Sequence, residues 1–92
     1  MINGFEGKTI LVTGATGLIG SRIIACLMEL NDVYVIALSR NAAKISNCFS
    51  KYLASSRFSF IEHDISIPLS INTSIDYIFH AASPLESKII KN

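Results

Sequence analysis

The amino-acid sequence predicts an α/β fold in which helices pack on a parallel β-sheet, and three observations support this class. Continuous apolar runs, such as ILV at 10–12 and VYVIAL at 33–38, are typical of strands buried on both faces. Apolar residues at helical spacing follow each of these runs. The stretch TGATGLIG at 13–20 places three glycines between the first run and the first helical segment. Strands that alternate with helices pair in parallel through right-handed crossovers.

The elements are predicted in the order β-α-β-α-β-β. The predicted strands are residues 8–12, 33–38, 58–61 and 75–80, with a loop-like segment at 63–74. The first helix begins at Gly17 or Leu18 and ends at 31–32, and Ser39 or Asn41 caps the second. The apolar stripe of the second helix is Ala42, Ile45, Phe49, Tyr52 and Leu53. Residues 86–91 begin a third helix. The expected spatial strand order is 3-2-1-4, a partial doubly wound (Rossmann) sheet.

Composition and charge exclude several classes of protein. Of the 92 residues, 50% are hydrophobic and 16% are charged, which suits a packed core and not a disordered chain. The net charge is +1 without a block of like charge, so we expect no nucleic-acid partner. No apolar run approaches the roughly 20 residues of a membrane span, and the N-terminus lacks a secretory pattern. We expect a cytoplasmic protein with no membrane partner. Cys26 and Cys48 match no metal-ligand spacing and are predicted to be buried free thiols.

Each glycine of the TGATGLIG stretch has a mechanical reason if the stretch binds a dinucleotide. Gly14 permits a sharp turn off the first strand, and Gly17 lets the pyrophosphate approach the backbone. Gly20 lets the helix pack closely against the sheet. A tight strand-to-helix turn without a ligand is the alternative. A Walker P-loop is excluded because no Gly-Lys-Ser/Thr follows.

The beginning of the first helix supplies the predicted hydrogen-bond donors. The N–H groups of Leu18 and Ile19 would bind the pyrophosphate, since the first turn of a helix has unpaired N–H groups and the positive end of the dipole. Thr16 can add a hydroxyl. We therefore predict a nicotinamide dinucleotide site at this turn.

The end of the second strand indicates which dinucleotide binds. In this fold a residue about 20 positions after the glycines contacts the adenosine ribose. Ser39 stands there, followed by Arg40, where an acid would favour NAD. A hydroxyl beside a guanidinium suits a phosphate monoester, so we predict NADP as cofactor in preference to NAD. A solvated surface charge is the alternative for Arg40.

The sequence resembles the extended short-chain dehydrogenase/reductases, most closely the NAD-dependent epimerase/dehydratase branch that acts on nucleotide sugars. The residues that carry the resemblance are TGATGLIG, HDI at 63–65 and DYIFHAA at 76–82. It extends from Lys8 to about Pro84. The Ser39-Arg40 pair departs from the acid of NAD-using members and looks like the NADP-reading pair of other short-chain reductases.

The resemblance implies roles for four further residues. Asp64 would hold the adenine amino group, and Ile65 would line the adenine pocket. Ala81 and Ala82 would run past the cofactor phosphates and ribose toward the nicotinamide. The alternatives are that Asp64 caps its own loop and that the small residues form a turn. His80 is interpreted as structural, because nothing in the sequence pairs it with a nucleophile.

The family's catalytic Tyr-x-x-x-Lys pair does not occur in this sequence. Tyr34, Tyr52 and Tyr77 are followed four positions later by Leu38, Ser56 and Ala81. We name no catalytic residue and no metal ligand. Residues 1–92 are expected to be the N-terminal part of a dinucleotide-binding domain, with the catalytic and substrate-binding parts absent.

The function that follows is the NAD(P)-binding portion of a nucleotide-sugar epimerase or dehydratase. The alternatives are a non-catalytic regulatory protein that senses a dinucleotide and an NADP-dependent carbonyl reductase. A downstream Tyr-x-x-x-Lys would separate the enzymes from the sensor. The expected partners are the cofactor and a nucleotide sugar. The fourth strand is an unprotected edge, so we also expect a homo-oligomer, either a dimer or a domain-swapped form.

Overall fold

A computed structural model describes residues 4–64, 67–68, 70 and 73–81. Its strands are β1 (Thr9–Thr13), β2 (Tyr34–Ser39), β3 (Phe58–Glu62) and β4 (Tyr77–His80). Its helices are α1 (Leu18–Glu29), α2 (Ala42–Cys48) and a short 3₁₀ helix (Ser50–Tyr52). The helix predicted at 86–91 lies outside the described residues. Neither α1 nor α2 has the length and hydropathy needed to cross a bilayer, and no other helix in the described ranges does.

The four strands form one parallel sheet in the order β3-β2-β1-β4. This order confirms the predicted fold class. In the register, Thr13 is aligned with Leu38 and His80, and Ser39 is aligned with Glu62. All four strands therefore end at the same edge of the sheet, which is where ligands bind in open α/β sheets.

The two central strands, β1 and β2, are buried on both faces, which explains their continuous apolar runs. One face packs under α1 and α2, and its core includes Ile10, Val12, Val35, Ile24 and Ile45. The opposite face has a smaller cluster of Leu11, Ile36 and Leu38, with Ile61 and Ile75 packed against it. In β1 and β2, polar side chains are thereby excluded from the strand interiors and appear where the strands end.

The second helix is shorter than the apolar stripe predicts. It ends at Cys48, and the chain continues as the 3₁₀ helix after Phe49, whose φ of −120° leaves the helical region. Phe49 remains buried and stacks near Tyr52 and Phe58. Leu53 is 43% exposed, so its assignment to the stripe is wrong, because the helical period is lost before that residue.

Both cysteines are exposed, and the prediction that they are buried is wrong. Cys26 lies two residues after Ile24, which turns it away from the buried side of α1. Cys48 is the last residue of α2, and the neighbouring Phe49 takes the core position instead.

Asp76 connects the beginning of β4 to β1. Its N–H donates to the carbonyl of Thr9 at 2.9 Å, and its Oδ2 accepts the N–H of Thr9 at 2.8 Å. The side chain thus satisfies a backbone donor at the start of β1 that the sheet leaves unpaired. This pair helps to fix the register in which β4 lies beside β1.

Arg57, which the sequence gave no reason to single out, holds the end of α1. Its Nη1 donates to the carbonyls of Leu30 at 2.9 Å and Val33 at 3.0 Å, and its Nη2 donates to Met28 at 3.1 Å. The last carbonyls of a helix have no partner within the helix. One guanidinium just before β3 therefore satisfies the carbonyl end of α1 and the turn into β2.

We predict that Arg57→Ala lowers the free energy of unfolding by about 2 kcal/mol, because charge-assisted hydrogen bonds to partly buried carbonyls are lost. Urea denaturation measures the change. Arg22→Ala removes the same charge from an exposed position of α1 and should stay within about 0.5 kcal/mol of the unaltered protein. Equal effects of the two substitutions would contradict this role.

The homo-oligomer stays a prediction, and β4 is where it can be tested. Within the described ranges β4 pairs with β1 alone, and Tyr77 and Ile78 are 45% and 51% exposed. We expect light scattering to give a mass above that of a monomer, and Ile78→Lys to shift it toward the monomer. Leu53→Lys, at an exposed site away from β4, is the control. A monomer at high protein concentration would refute the prediction.

Candidate functional site

The turn between β1 and α1 has the backbone shape that its glycines permit. Gly14 has a φ of 63°, in the left-handed region that favours glycine. The N–H of Gly17 donates to the carbonyl of Gly14 at 3.0 Å and closes the turn. The N–H of Ala15 donates to Leu38 at 3.2 Å, so the turn is anchored to the end of β2. The chain leaves β1 sharply and enters α1 directly above the sheet edge.

Gly20 is the point of closest approach between α1 and this turn. A Cβ at Gly20 would overlap the carbonyl oxygen of Gly14, and would lie 2.8 Å from its carbonyl carbon and 3.1 Å from the Cα of Ala15. At Gly17 the nearest atom to an added Cβ is the Gly14 oxygen at 3.3 Å. Gly20 is therefore required by packing within the chain, whereas Gly17 is exposed toward solvent.

The N-terminus of α1 is open to an anion. Gly17 is the N-cap, and no described side chain caps the helix there. The first helical hydrogen bond runs from Ser21 N–H to the Gly17 carbonyl at 2.9 Å, so the N–H groups of Leu18 and Ile19 precede it. Their side chains are 73% and 60% exposed. This backbone fits a pyrophosphate, because it offers donors, a positive dipole end and no Cβ at Gly17.

Two predicted site residues contact each other at the ends of β1 and β2. The Oγ1 of Thr16 lies 3.3 Å from the Oγ of Ser39, which also accepts the N–H of Asn41 at 3.4 Å. Arg40 follows and is exposed. The sequence suggested that Thr16 would face the phosphate. In the structure its hydroxyl contacts Ser39, the residue expected at the ribose, so the phosphate contact of Thr16 stays a prediction.

Asp64 lies just after the end of β3, next to a residue that is bonded to β2. The N–H of His63 donates to the carbonyl of Ser39 at 2.8 Å, which continues the β2–β3 pairing. Asp64 follows, and its backbone carbonyl accepts the N–H of Ile67 at 2.9 Å. The imidazole Nε2 of His63 donates to the carbonyl of Ile67 at 2.8 Å and holds the same turn. Ile65 lies outside the described residues.

The end of β4 lies on the other side of β1. The N–H of Ala81 donates to the carbonyl of Thr13 at 3.2 Å. His80 is exposed, with its Nδ1 3.4 Å from the Oγ1 of Thr13. Ala82 lies outside the described residues. The strand order reverses between β1 and β4, and a doubly wound fold binds its ligand at the carboxyl ends of the strands at this switch point.

The sequence analysis missed Glu62, the last residue of β3. Glu62 is in register with Ser39, and its Oε2 accepts the N–H of Ala42 at the start of α2, at 3.1 Å. Asn41 caps α2 from its own side, with its Oδ1 accepting the N–H of Lys44 at 3.1 Å. Aligning the predicted ends of β2 and β3 would have placed an acid beside the expected ribose.

Comparison with known proteins identifies the family. The sequence matches the NAD dependent epimerase/dehydratase family over residues 10–89. The chain belongs to this family. UDP-glucuronic acid decarboxylase 6 of Arabidopsis thaliana is 35% identical over 75 residues, which are 82% of this chain and 21% of that protein. UDP-glucuronic acid decarboxylase 3 of the same plant is 33% identical over 75 residues, again 82% of this chain and 21% of that protein.

The fold of this chain is also similar to that of an enzyme of known structure. UDP-glucuronic acid 4-epimerase from Bacillus cereus, in complex with UDP-glucuronic acid and NAD, is 30% identical with a TM-score of 0.62. The structure of the same enzyme in complex with NAD has a TM-score of 0.63 to this chain. The match to the first complex covers 82% of this chain and 26% of the epimerase. The resemblance seen in the sequence is thereby confirmed.

The chain spans about a fifth of the length of the curated relatives that it matches. Its match covers 21% of UDP-glucuronic acid decarboxylase 6. The family is NAD-dependent, and the solved epimerase complexes contain NAD. These relatives agree with a nicotinamide dinucleotide and give no support to a preference for NADP. The described residues contain no cluster of His, Cys, Asp and Glu that could hold a metal ion.

We predict that Gly20→Ala lowers the free energy of unfolding by at least about 2 kcal/mol, because the new methyl overlaps the Gly14 carbonyl. The sign is informative, since replacing an ordinary helical glycine with alanine adds up to about 1 kcal/mol of stability. Urea denaturation measures the change. Gly17→Ala, with its looser contact, should cost about 1 kcal/mol or less. A Gly20→Ala protein as stable as the original would disprove the close contact.

Proposed function

We propose that this chain binds the adenosine diphosphate half of a nicotinamide dinucleotide, as part of an enzyme that modifies nucleotide sugars. The observation that carries the proposal is the open N-terminus of α1, held at the end of β1 by the Gly20–Gly14 contact. A backbone anion site at the switch point of a parallel sheet is suited to a pyrophosphate.

Each site residue predicted from the sequence has a place in the proposed complex. The glycines Gly14, Gly17 and Gly20 shape the turn, and the N–H groups of Leu18 and Ile19 bind the pyrophosphate. The remaining proposed contacts are Thr16 at the pyrophosphate, Ser39 and Arg40 at the ribose, Asp64 and Ile65 at the adenine, and Ala81 and Ala82 toward the nicotinamide. When bound, the nicotinamide supplies a site that accepts and returns hydride.

The proposed substrate class is a nucleoside diphosphate sugar. The decarboxylases and the epimerase that this chain matches are both named for UDP-glucuronic acid, so a UDP-linked sugar acid is the specific proposal. We further propose that the protein acts in the cytoplasm. The relatives are much longer than this chain. We propose that the catalytic residues lie in a region of the enzyme that corresponds to the unmatched part of those relatives.

The finer proposal is that NADP binds in preference to NAD. It rests on Ser39 and Arg40, a hydroxyl and an exposed guanidinium at the end of β2. A guanidinium binds a phosphate monoester in a planar, charge-assisted geometry that a ribose hydroxyl cannot match. The NAD in the complexes of the Bacillus cereus enzyme favours the opposite choice, which makes the cofactor the first property to measure.

Thermal unfolding of the protein with four ligands tests the site. At about 100 times its dissociation constant, a ligand of the folded state adds about 2.7 kcal/mol and raises Tm by on the order of 10 °C. We expect this with NAD or NADP and also with ADP-ribose, because most of the proposed contacts are to the adenosine half. Nicotinamide mononucleotide is the matched control and should give little change. No shift with NAD, NADP or ADP-ribose would refute the proposed function.

The double substitution Ser39→Asp with Arg40→Ala tests the cofactor choice. It replaces a phosphate-binding pair with an acid that accepts ribose hydroxyls, so the ratio of NADP to NAD affinity should fall by at least about tenfold. Isothermal titration calorimetry gives both dissociation constants. Lys51→Ala is the control. It removes a positive charge from the 3₁₀ helix that follows α2 and should leave the affinity ratio unchanged. If the ratio of NADP to NAD affinity is unaltered in the double variant, Ser39 and Arg40 do not contact the ribose.

A further inference from the structure

We propose that Glu62 is a second determinant of cofactor choice, and that its carboxylate opposes the 2′-phosphate of NADP. This inference rests on the proposed function, because it takes the ribose to lie at Ser39. Glu62 is the register partner of Ser39 on the neighbouring strand. Its Oε2 reaches across to accept the N–H of Ala42 at 3.1 Å, just beyond Arg40. The acid that β2 lacks is thus supplied by β3.

The backbone donors beside Arg40 are already occupied by the protein. Ser39 Oγ accepts the N–H of Asn41 at 3.4 Å, and Glu62 accepts the next one, from Ala42. Asn41 Oδ1 accepts the N–H of Lys44 at 3.1 Å. A phosphate on the ribose would have to displace the Glu62 carboxylate from Ala42 or lie near it as a like charge. A ribose hydroxyl requires neither.

Arg40 and Glu62 therefore act in opposite directions on the same group. The guanidinium attracts a 2′-phosphate, which carries about −1.5 to −2 charges near neutral pH, and the carboxylate repels it. Both side chains are exposed, so salt screens the repulsion. Residues of two strands then set the choice between NADP and NAD, and the acid on β3 weakens the preference for NADP that Ser39 and Arg40 provide on β2.

Glu62→Gln tests the inference, because the amide keeps an acceptor for the Ala42 N–H and removes only the charge. We expect the dissociation constant for NADP to fall about five- to tenfold at low salt, while that for NAD changes less than about twofold. The gain should shrink at about 1 M salt. Glu62→Lys should increase the gain for NADP further. Glu29→Gln removes the same charge from an exposed position at the far end of α1 and is the matched control.

Calorimetry with NAD and NADP on each variant distinguishes the outcomes. A rise in NADP affinity in Glu62→Gln and not in Glu29→Gln supports the inference. Equal changes for both cofactors, or none in a protein that binds NAD, overturn the role of Glu62 and leave the proposed function standing. A protein that binds neither cofactor overturns both. Melting curves of the variants without ligand show whether each variant is folded. If either Glu62→Gln or Glu62→Lys fails to fold, the other variant still tests the inference.

Discussion

The contact between Gly20 and the Gly14 carbonyl is the constraint on which the candidate site depends. It allows α1 to begin almost on top of the turn that leaves β1, with no side chain between the two backbones. The first N–H groups of the helix are thereby fixed above the carboxyl edge of the sheet. A larger residue at Gly20 would move the helix away from the turn, and the donors at Leu18 and Ile19 would move with it.

The parallel sheet then collects the remaining polar groups at the same edge. Because β1 and β2 are buried on both faces, their polar side chains concentrate at the strand ends, and the register brings those ends together with the ends of β3 and β4. Ser39 is linked to Thr16 on one side and aligned with Glu62 on the other. A backbone anion site and a set of side-chain acceptors thus lie along one continuous edge.

The fold and the glycine turn could be predicted from the sequence, because both depend on local features. Apolar runs and helical spacing are visible within ten residues, and a glycine triplet between them indicates a turn. Leu53 and Cys26 were misplaced because apolar composition does not show where a helix ends or which side faces the core. Arg57 and Glu62 act across strands, on partners far away in the chain, so their roles appear only once the register is known.

Arg57 also has a consequence for how the molecule opens. Its guanidinium binds carbonyls of Met28, Leu30 and Val33, while its own carbonyl accepts the N–H of Val35. The end of α1, the start of β2 and the entry to β3 are therefore tied through one residue. We therefore expect the helix end to fray and β3 to detach in a single cooperative event, with the amide hydrogens of these segments exchanging with solvent together. Arg57 thus connects these segments at the amino-terminal ends of β2 and β3, opposite the candidate site.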